Sequence, residues 1–292
     1  MLFVQQQFQS NKHLKEVCTF GIGGPARLFL EVFDLEQMQQ ALAFCHLEHL
    51  PFFILGKGSN CLFDDRGFDG LVIHNKISYL SFQEHIVEVG AGYSFSMLGL
   101  KTAKQGLAGL EFASGIPASV GGAIFMNAGA NGQETADCLH EVSFVDERGA
   151  LHRLSKEELL FSYRHSPFQT KKGAIVSAKF TLTRCELARG KQLAIIEQRK
   201  KTQPGDELSA GCVFRNPPGH FAGRLIEQVG LKGCAVGGAS ISLKHANFIV
   251  NQDKASAQEV LALVALVQEK VLRETGIDLQ MEIRCIPYQK NP

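Results

Sequence analysis

Short apolar runs alternate along this chain with amphipathic stretches of helical period. Pro51-Phe-Phe-Ile-Leu55 is a continuous apolar run of strand length, preceded by a segment that opens as a helix behind Asp34, a residue suited to N-capping. Leu71-Val-Ile73 and Ile86-Val-Glu-Val89 predict further short strands. Glu141–Asp146 and Ala150–Leu154 flank Glu147-Arg148-Gly149 and predict a hairpin; Ala174–Thr183 is rich in β-formers. Ala188–Gln203, dominated by Lys, Arg and Gln, predicts an exposed helix halted by Pro204-Gly205, where we place the main division of the chain. Beyond it, Ser256-x-x-Glu259 predicts a capping box opening a helix. Val260, Val264, Val267 and Val271 share one face of that helix, and Gly276 ends it. Leu279–Ile286 predicts a strand with Leu279, Met281, Ile283 and Cys285 on one face and Gln280, Glu282 and Arg284 on the other. The pattern is mixed α+β. Its strands are too short and irregularly spaced for a Rossmann domain.

Composition narrows the function. Thirty basic residues against 29 acidic ones leave a net charge of +1 with no basic block, which argues against a nucleic-acid or membrane-surface role. Met1–Lys15 carries no signal-peptide core, and the aliphatic run Val260–Val267 is too short to cross a bilayer. Eight cysteines stand singly, without a C-x-x-C pair or Cys/His metal spacing. They predict reduced thiols in a cytoplasm and no structural metal. The 29 glycines exceed the roughly 20 of average usage, and the surplus lies in the first half.

Two of those glycine-rich stretches carry candidate chemistry. Strand Pro51–Leu55 runs into Gly56-Lys-Gly-Ser-Asn60, where backbone N–H groups and a Ser hydroxyl could face a phosphate, or simply make a tight surface turn. It is neither a P-loop nor a GxGxxG fingerprint. Gly115-Ile-Pro-Ala-Ser-Val-Gly-Gly-Ala-Ile-Phe-Met-Asn-Ala-Gly129 admits close backbone approach to a large flat ligand, or a tightly packed core turn. Together the two stretches make a bound dinucleotide a live expectation.

Six motifs then stand in family order: Thr19-Phe-Gly-Ile-Gly-Gly-Pro-Ala-Arg27, Gly56–Asn60, Gly115–Gly129, Tyr163-Arg-His-Ser166, Ala210-Gly-Cys-Val-Phe-Arg-Asn-Pro217 and Met281-Glu-Ile-Arg284. Over nearly its whole length the chain resembles the UDP-N-acetylenolpyruvoylglucosamine reductases (UDP-N-acetylmuramate dehydrogenases). The resemblance implies an FAD-binding domain of the vanillyl-alcohol oxidase (PCMH) type, followed by a C-terminal α+β substrate-binding domain. We expect the first over 1–190, as two α+β subdomains split near 74, and the second over 191–292. The implied reaction is NADPH-dependent reduction of UDP-N-acetylglucosamine enolpyruvate to UDP-N-acetylmuramate, through non-covalent FAD, in peptidoglycan precursor synthesis. Partners would be the UDP-sugar and NADPH alone, in a monomeric or weakly oligomeric cytoplasmic protein.

By the same resemblance, Gly56, Lys57, Gly58, Ser59, Asn60, Gly115, Ile116, Pro117, Ser119, Val120, Gly121 and Gly122 wrap the FAD, with Asn127 and Gly129 nearby. Arg164, Cys212 and Glu282 match the catalytic positions. Hydride delivered to C3 of the enolpyruvyl group leaves enolate charge, which an always-charged, forked guanidinium stabilises, and C2 then needs a proton. Cys212 stands where the family most often has serine; a thiol of ordinary pKa, about 8.5, is mostly protonated at neutral pH and is a stronger acid than an alcohol. Tyr163, Arg215, Asn216, Lys232 and His245 are the expected substrate contacts, with Lys244 and Asn247 near them. Ser166-Pro-Phe168 proceeds quickly to the next strand, so this is the shorter form, without a tyrosine-bearing insertion. On the residues alone, Arg164 could be a surface arginine, Glu282 a solvated strand position and Cys212 a packed thiol. Two competing readings remain. A sugar or alcohol oxidase of the same fold could hold flavin covalently, Cys61 being the adjacent nucleophile; a glycine-rich binding protein would carry no flavin.

Overall fold

The computed structural model describes residues 7–289. The chain divides into two compact units, Met1–Ser10 with Leu28–Lys57 and Gly70–Arg199, and Asn11–Arg27 with Gly58–Asp69 and Lys200–Pro292.

A four-stranded sheet has the order Gln9–His13, Pro25–Val32, Phe68–Asn75, Phe52–Leu55, the last two strands parallel, with Phe52 opposite Leu71 and Leu55 opposite His74. Leu71, Val72 and Ile73 are fully buried, as a strand covered on both faces requires. Helix α1 (Leu35–Leu47) starts where Asp34 accepts the Gln37 N–H at 2.8 Å, and it buries Met38, Ala41, Leu42 and Cys45, a stripe of helical period.

The larger sheet of the first unit is antiparallel, ordered Leu151–Ser155, Leu139–Asp146, Gly173–Thr181, Ile86–Gly90, Leu80–Gln83. The expected hairpin turns at Glu147-Arg148-Gly149, where the Asp146 carboxylate accepts the N–H groups of Arg148 and Ala150. Helices α2 (Phe95–Lys104) and α3 (Val120–Phe125) contribute to the core beside this sheet, which centres on Phe95, Leu98, Phe112, Val120, Ile124 and Phe180. Helix α4 (Ala188–Thr202) buries only Ala188 and Gln192, as its polar sequence predicts.

The second unit holds a sheet ordered Ser209–Cys212, Phe248–Asn251, Ala239–Ile241, Ala235–Val236, with α5 (Ala222–Gln228) and α6 (Ala257–Thr275). The capping box of α6 is formed by Ser256 and Glu259, and its four valines are buried together with Leu263. Gly276 ends it in the left-handed conformation, at φ 71°.

Sequence pattern places residues 11–27 and 58–69 with the first half of the chain; they cluster instead with Lys200–Pro292. The Thr19 hydroxyl donates to the Ser209 carbonyl at 2.7 Å, and the Asp65 carboxylate accepts the Ala257 N–H at the start of α6. Strand Cys61–Phe63 pairs in parallel with Arg284–Ile286. Local periodicity carries no information about such distant partners.

One expected strand needs correction. Within Leu279–Ile286 only Arg284–Ile286 is a strand; Leu279, Ile283 and Ile286 are buried, while Met281 and Cys285 are exposed. The segment changes partner midway. The Gln280 carbonyl accepts the Arg215 N–H and the Glu282 N–H donates to Val213, whereas the Arg284 N–H turns to the Asn60 carbonyl. No single strand register survives that switch.

Candidate active site

The stretch Gly115–Gly129 folds into a 3-10 turn ending at Gly115, an extended Ile116–Ala118, and α3. Ser119 caps α3 by accepting the Gly122 N–H at 3.2 Å. The N–H groups of Ile116, Val120 and Gly121 donate to Ala113, Tyr93 and Ala91 respectively. These residues thus offer a ligand a shaped wall of small side chains more than a set of free amide donors.

Gly56 shows how closely that wall is approached. A Cβ placed there would overlap the Ser119 hydroxyl, so only glycine leaves the cap of α3 undisturbed. Gly56→Val is therefore expected to dislodge Ser119, at a cost of about 1 kcal/mol in capping alone. Protein purified with this substitution should retain flavin at least about tenfold more weakly by dilution and absorbance. Unchanged retention would remove Gly56 from the cradle. Next to it, the Lys57 ammonium donates to the Ser94 hydroxyl at 2.8 Å. Gly58, Ser59 and Asn60 follow in the second unit, where the Gly58 carbonyl accepts the Thr19 N–H.

Asn127 is fully buried, and its side chain is committed to the protein. Its amide donates to Glu134 at 2.8 Å and to the Ser162 carbonyl at 3.0 Å, and its oxygen accepts the Ala136 N–H. It links the end of the glycine-rich stretch to the turn Ser162–His165, which carries Tyr163 and Arg164. The Arg164 guanidinium donates to the Gly129 carbonyl at 3.1 Å and lies 4.8 Å from the Tyr163 ring centroid. Arg164 and Gly129 belong to separate motifs in the sequence; the fold joins them directly. After Ser166 the chain makes one 3-10 turn, Pro167–Gln169, and enters strand Gly173–Thr181, leaving no room for an insertion.

In the second unit Gly211, at φ 79°, lies in a register irregularity between Ser209 and Cys212 that turns the strand end. Cys212 follows, paired with Phe248. Val213 is bracketed on both sides: its N–H donates to Asn247 at 2.8 Å and its carbonyl accepts the Glu282 N–H at 2.7 Å. Cys212 and Glu282 therefore stand on adjoining, hydrogen-bonded backbone. Asn60 fixes the far side, donating to the Glu282 carbonyl at 3.2 Å and accepting the Arg284 N–H at 3.0 Å. Asn247 has a structural function, its side chain accepting from and donating to the Phe214 backbone like one more strand residue.

The expected substrate contacts of this unit have these partners. Asn216 accepts the Ala222 N–H and so caps α5, which lacks a cap of its own. Lys232 pairs with Glu227 at 2.7 Å, a partly exposed ion pair worth at most about 1 kcal/mol. The His245 ring accepts the Asn247 N–H on Nδ1 at 3.2 Å, which leaves the neutral ring's proton on Nε2, and it packs edge-on against Phe248. The Arg215 Nε is buried without a hydrogen-bond partner.

Cys61, the nucleophile nearest the first glycine-rich loop, is buried, and burial pushes its thiol up to about 12. It stays protonated and unreactive, contrary to what covalent flavin attachment there would need.

Two family models match the chain. An FAD binding domain model matches residues 26–155, and one described as UDP-N-acetylenolpyruvoylglucosamine reductase, C-terminal domain, matches 203–286. The reductase of that name from Protochlamydia amoebophila is 60% identical over 289 residues, covering 99% of this chain and 97% of the relative. That of Chlamydia muridarum is 49% identical over 97% of this chain and 96% of its own length. The crystal structure of the Thermus caldophilus reductase superposes with a TM-score of 0.83 at 39% identity, covering 96% of this chain and all of that one. The chain belongs to the UDP-N-acetylenolpyruvoylglucosamine reductase family.

Proposed function

We propose that this chain reduces the enolpyruvyl ether of UDP-N-acetylglucosamine to UDP-N-acetylmuramate with electrons from NADPH, a step of peptidoglycan precursor synthesis. The observation that carries the reading is the bracketing of Val213, whose carbonyl accepts the Glu282 N–H and so sets the backbone of Cys212 and Glu282 on adjoining segments. It is supported by a wall of small residues, Gly56 against Ser119, that suits a flat cofactor. Held by Gly56–Asn60 and Gly115–Gly122, FAD would supply the hydride chemistry that links NADPH to C3 of the substrate.

The chain's own residues have separate tasks. Gly56–Asn60 and Gly115–Gly122 hold the cofactor, in a reading that takes 1–190 as the FAD-binding region and 191–292 as the substrate-binding domain. The Arg164 guanidinium grips the substrate carboxylate and stabilises the enolate charge that grows there. The Cys212 thiol gives its proton to C2 as hydride arrives at C3, and Glu282 orders that transfer from the adjoining backbone. Arg215, Asn216, Lys232, His245 and Tyr163 bind the remainder of the substrate. Eight free thiols accord with a cytoplasmic setting, and we take the protein to act as a monomer or weak oligomer. No helix among the described residues is long and apolar enough to cross a membrane.

Adding the enolpyruvyl ether to protein and NADPH should accelerate the loss of NADPH absorbance and yield one UDP-N-acetylmuramate per NADPH consumed. NADPH consumption no faster with the ether than without it would sink the assignment.

A further inference from the structure

The turn that carries Arg164 adopts a conformation its sequence disfavours. Ser162 and His165 exchange backbone hydrogen bonds at 3.2 and 2.9 Å, leaving Tyr163 and Arg164 as the central residues. Arg164 has φ 56°, the left-handed region, which side chains other than Gly, Asn and Asp occupy rarely. Such a conformer persists where its surroundings over-determine it.

Gln169 supplies that constraint. Its Nε2 donates to the Arg164 carbonyl and to the Phe125 carbonyl, each at 3.0 Å, so the two N–H donors of one amide serve two different segments. Phe125 is the last residue of α3, and its carbonyl is among those a helix end leaves without an internal partner. The buried Ser166 hydroxyl donates to the same carbonyl at 2.7 Å. Gln169 is itself held, by its own N–H to the Ser166 carbonyl and by Phe168, which is buried against Phe144. Through one amide, the Arg164 backbone is fastened to the helix that closes the glycine-rich stretch.

We infer that Gln169 is a positioning residue for Arg164, its amide holding the left-handed turn and thereby the direction in which the guanidinium is presented. The inference rests on the role proposed for Arg164. Gln169→Met preserves length and removes both donors. The variant should match wild type in flavin content, melting temperature and flavin reduction by NADPH. Reoxidation of its flavin by the enolpyruvyl ether should slow about 10- to 100-fold, the scale of a misplaced reacting group. Wild-type reoxidation would overturn the inference. So would reduced flavin content or melting temperature with normal reoxidation per bound flavin, because that is a purely structural role.

Gln169→Glu gives a second measurement should the first variant fold poorly. Ionised, its carboxylate faces two carbonyl oxygens; protonated, it regains one donor. Its rate relative to wild type should rise as pH falls from about 8 towards the carboxyl range near 4–5. A flat ratio would overturn the inference as well. Failure of the underlying reading looks different: wild type would not reoxidise with the ether, or Arg164→Lys would match wild type while Gln169→Met is impaired, and the inference would fall with it.

Discussion

Arg164→Lys is expected to lose at least about 10²-fold in turnover although the positive charge is preserved. Lysine is a compact point charge with no planar fork, so it cannot give a carboxylate two parallel N–H bonds, nor lie flat against the Tyr163 ring while donating to Gly129. The backbone should tolerate the change, since lysine and arginine pay the same penalty at φ 56°. Flavin content and reduction by NADPH should stay near wild type, confining the defect to the half-reaction with the enolpyruvyl ether. Steady-state turnover within about twofold of wild type would reduce Arg164 to a surface residue.

Cys212→Ala should be impaired by about 10²–10⁴-fold, the usual contribution of a positioned general acid. Neighbouring backbone bonds run through Val213, which the substitution leaves unchanged. The alanine variant should bleach its flavin with NADPH at a near-normal rate and reoxidise very slowly with the substrate. Cys212→Ser should recover part of the loss, limited by how well the site tolerates an alkoxide in place of a thiolate. Stopped-flow absorbance separates the two phases. An alanine variant with normal turnover would make the thiol packing; one that cannot be reduced by NADPH would move Cys212 to the cofactor side of the reaction.

Elements governed by local chemistry were legible in the sequence. Asp34 and Ser256 start helices because a side-chain oxygen answers orphan N–H groups a few residues on, and the valines of α6 recur at helical spacing. The Glu147–Gly149 hairpin is equally local. The failure at Leu279–Ile286 came from a backbone that exchanges Val213 for Asn60 as partner within four residues, which alternation cannot report. At the candidate site, Arg164, Cys212 and Glu282 are proposed through their motifs. The bonds made by Gln169 and Asn127 were not legible. Both are amides whose worth lies in carbonyls they satisfy at 164, 125 and 162, and no one-dimensional spacing marks such bonds.

Strand Cys61–Phe63 has consequences for how the protein is made. Its parallel partner, Arg284–Ile286, lies at the other end of the chain, and the Asn60 side chain reaches across 222 residues to Glu282. During translation at roughly 5–20 residues per second, Leu62 and Phe63 wait on the order of ten to forty seconds for the chain that will cover them. Through that interval an apolar strand with open edges stays uncovered, open to chaperones and prone to aggregation. Nascent chains arrested near residue 200 should accordingly hold residues 58–69 open to protease, and release of the full-length chain should close them.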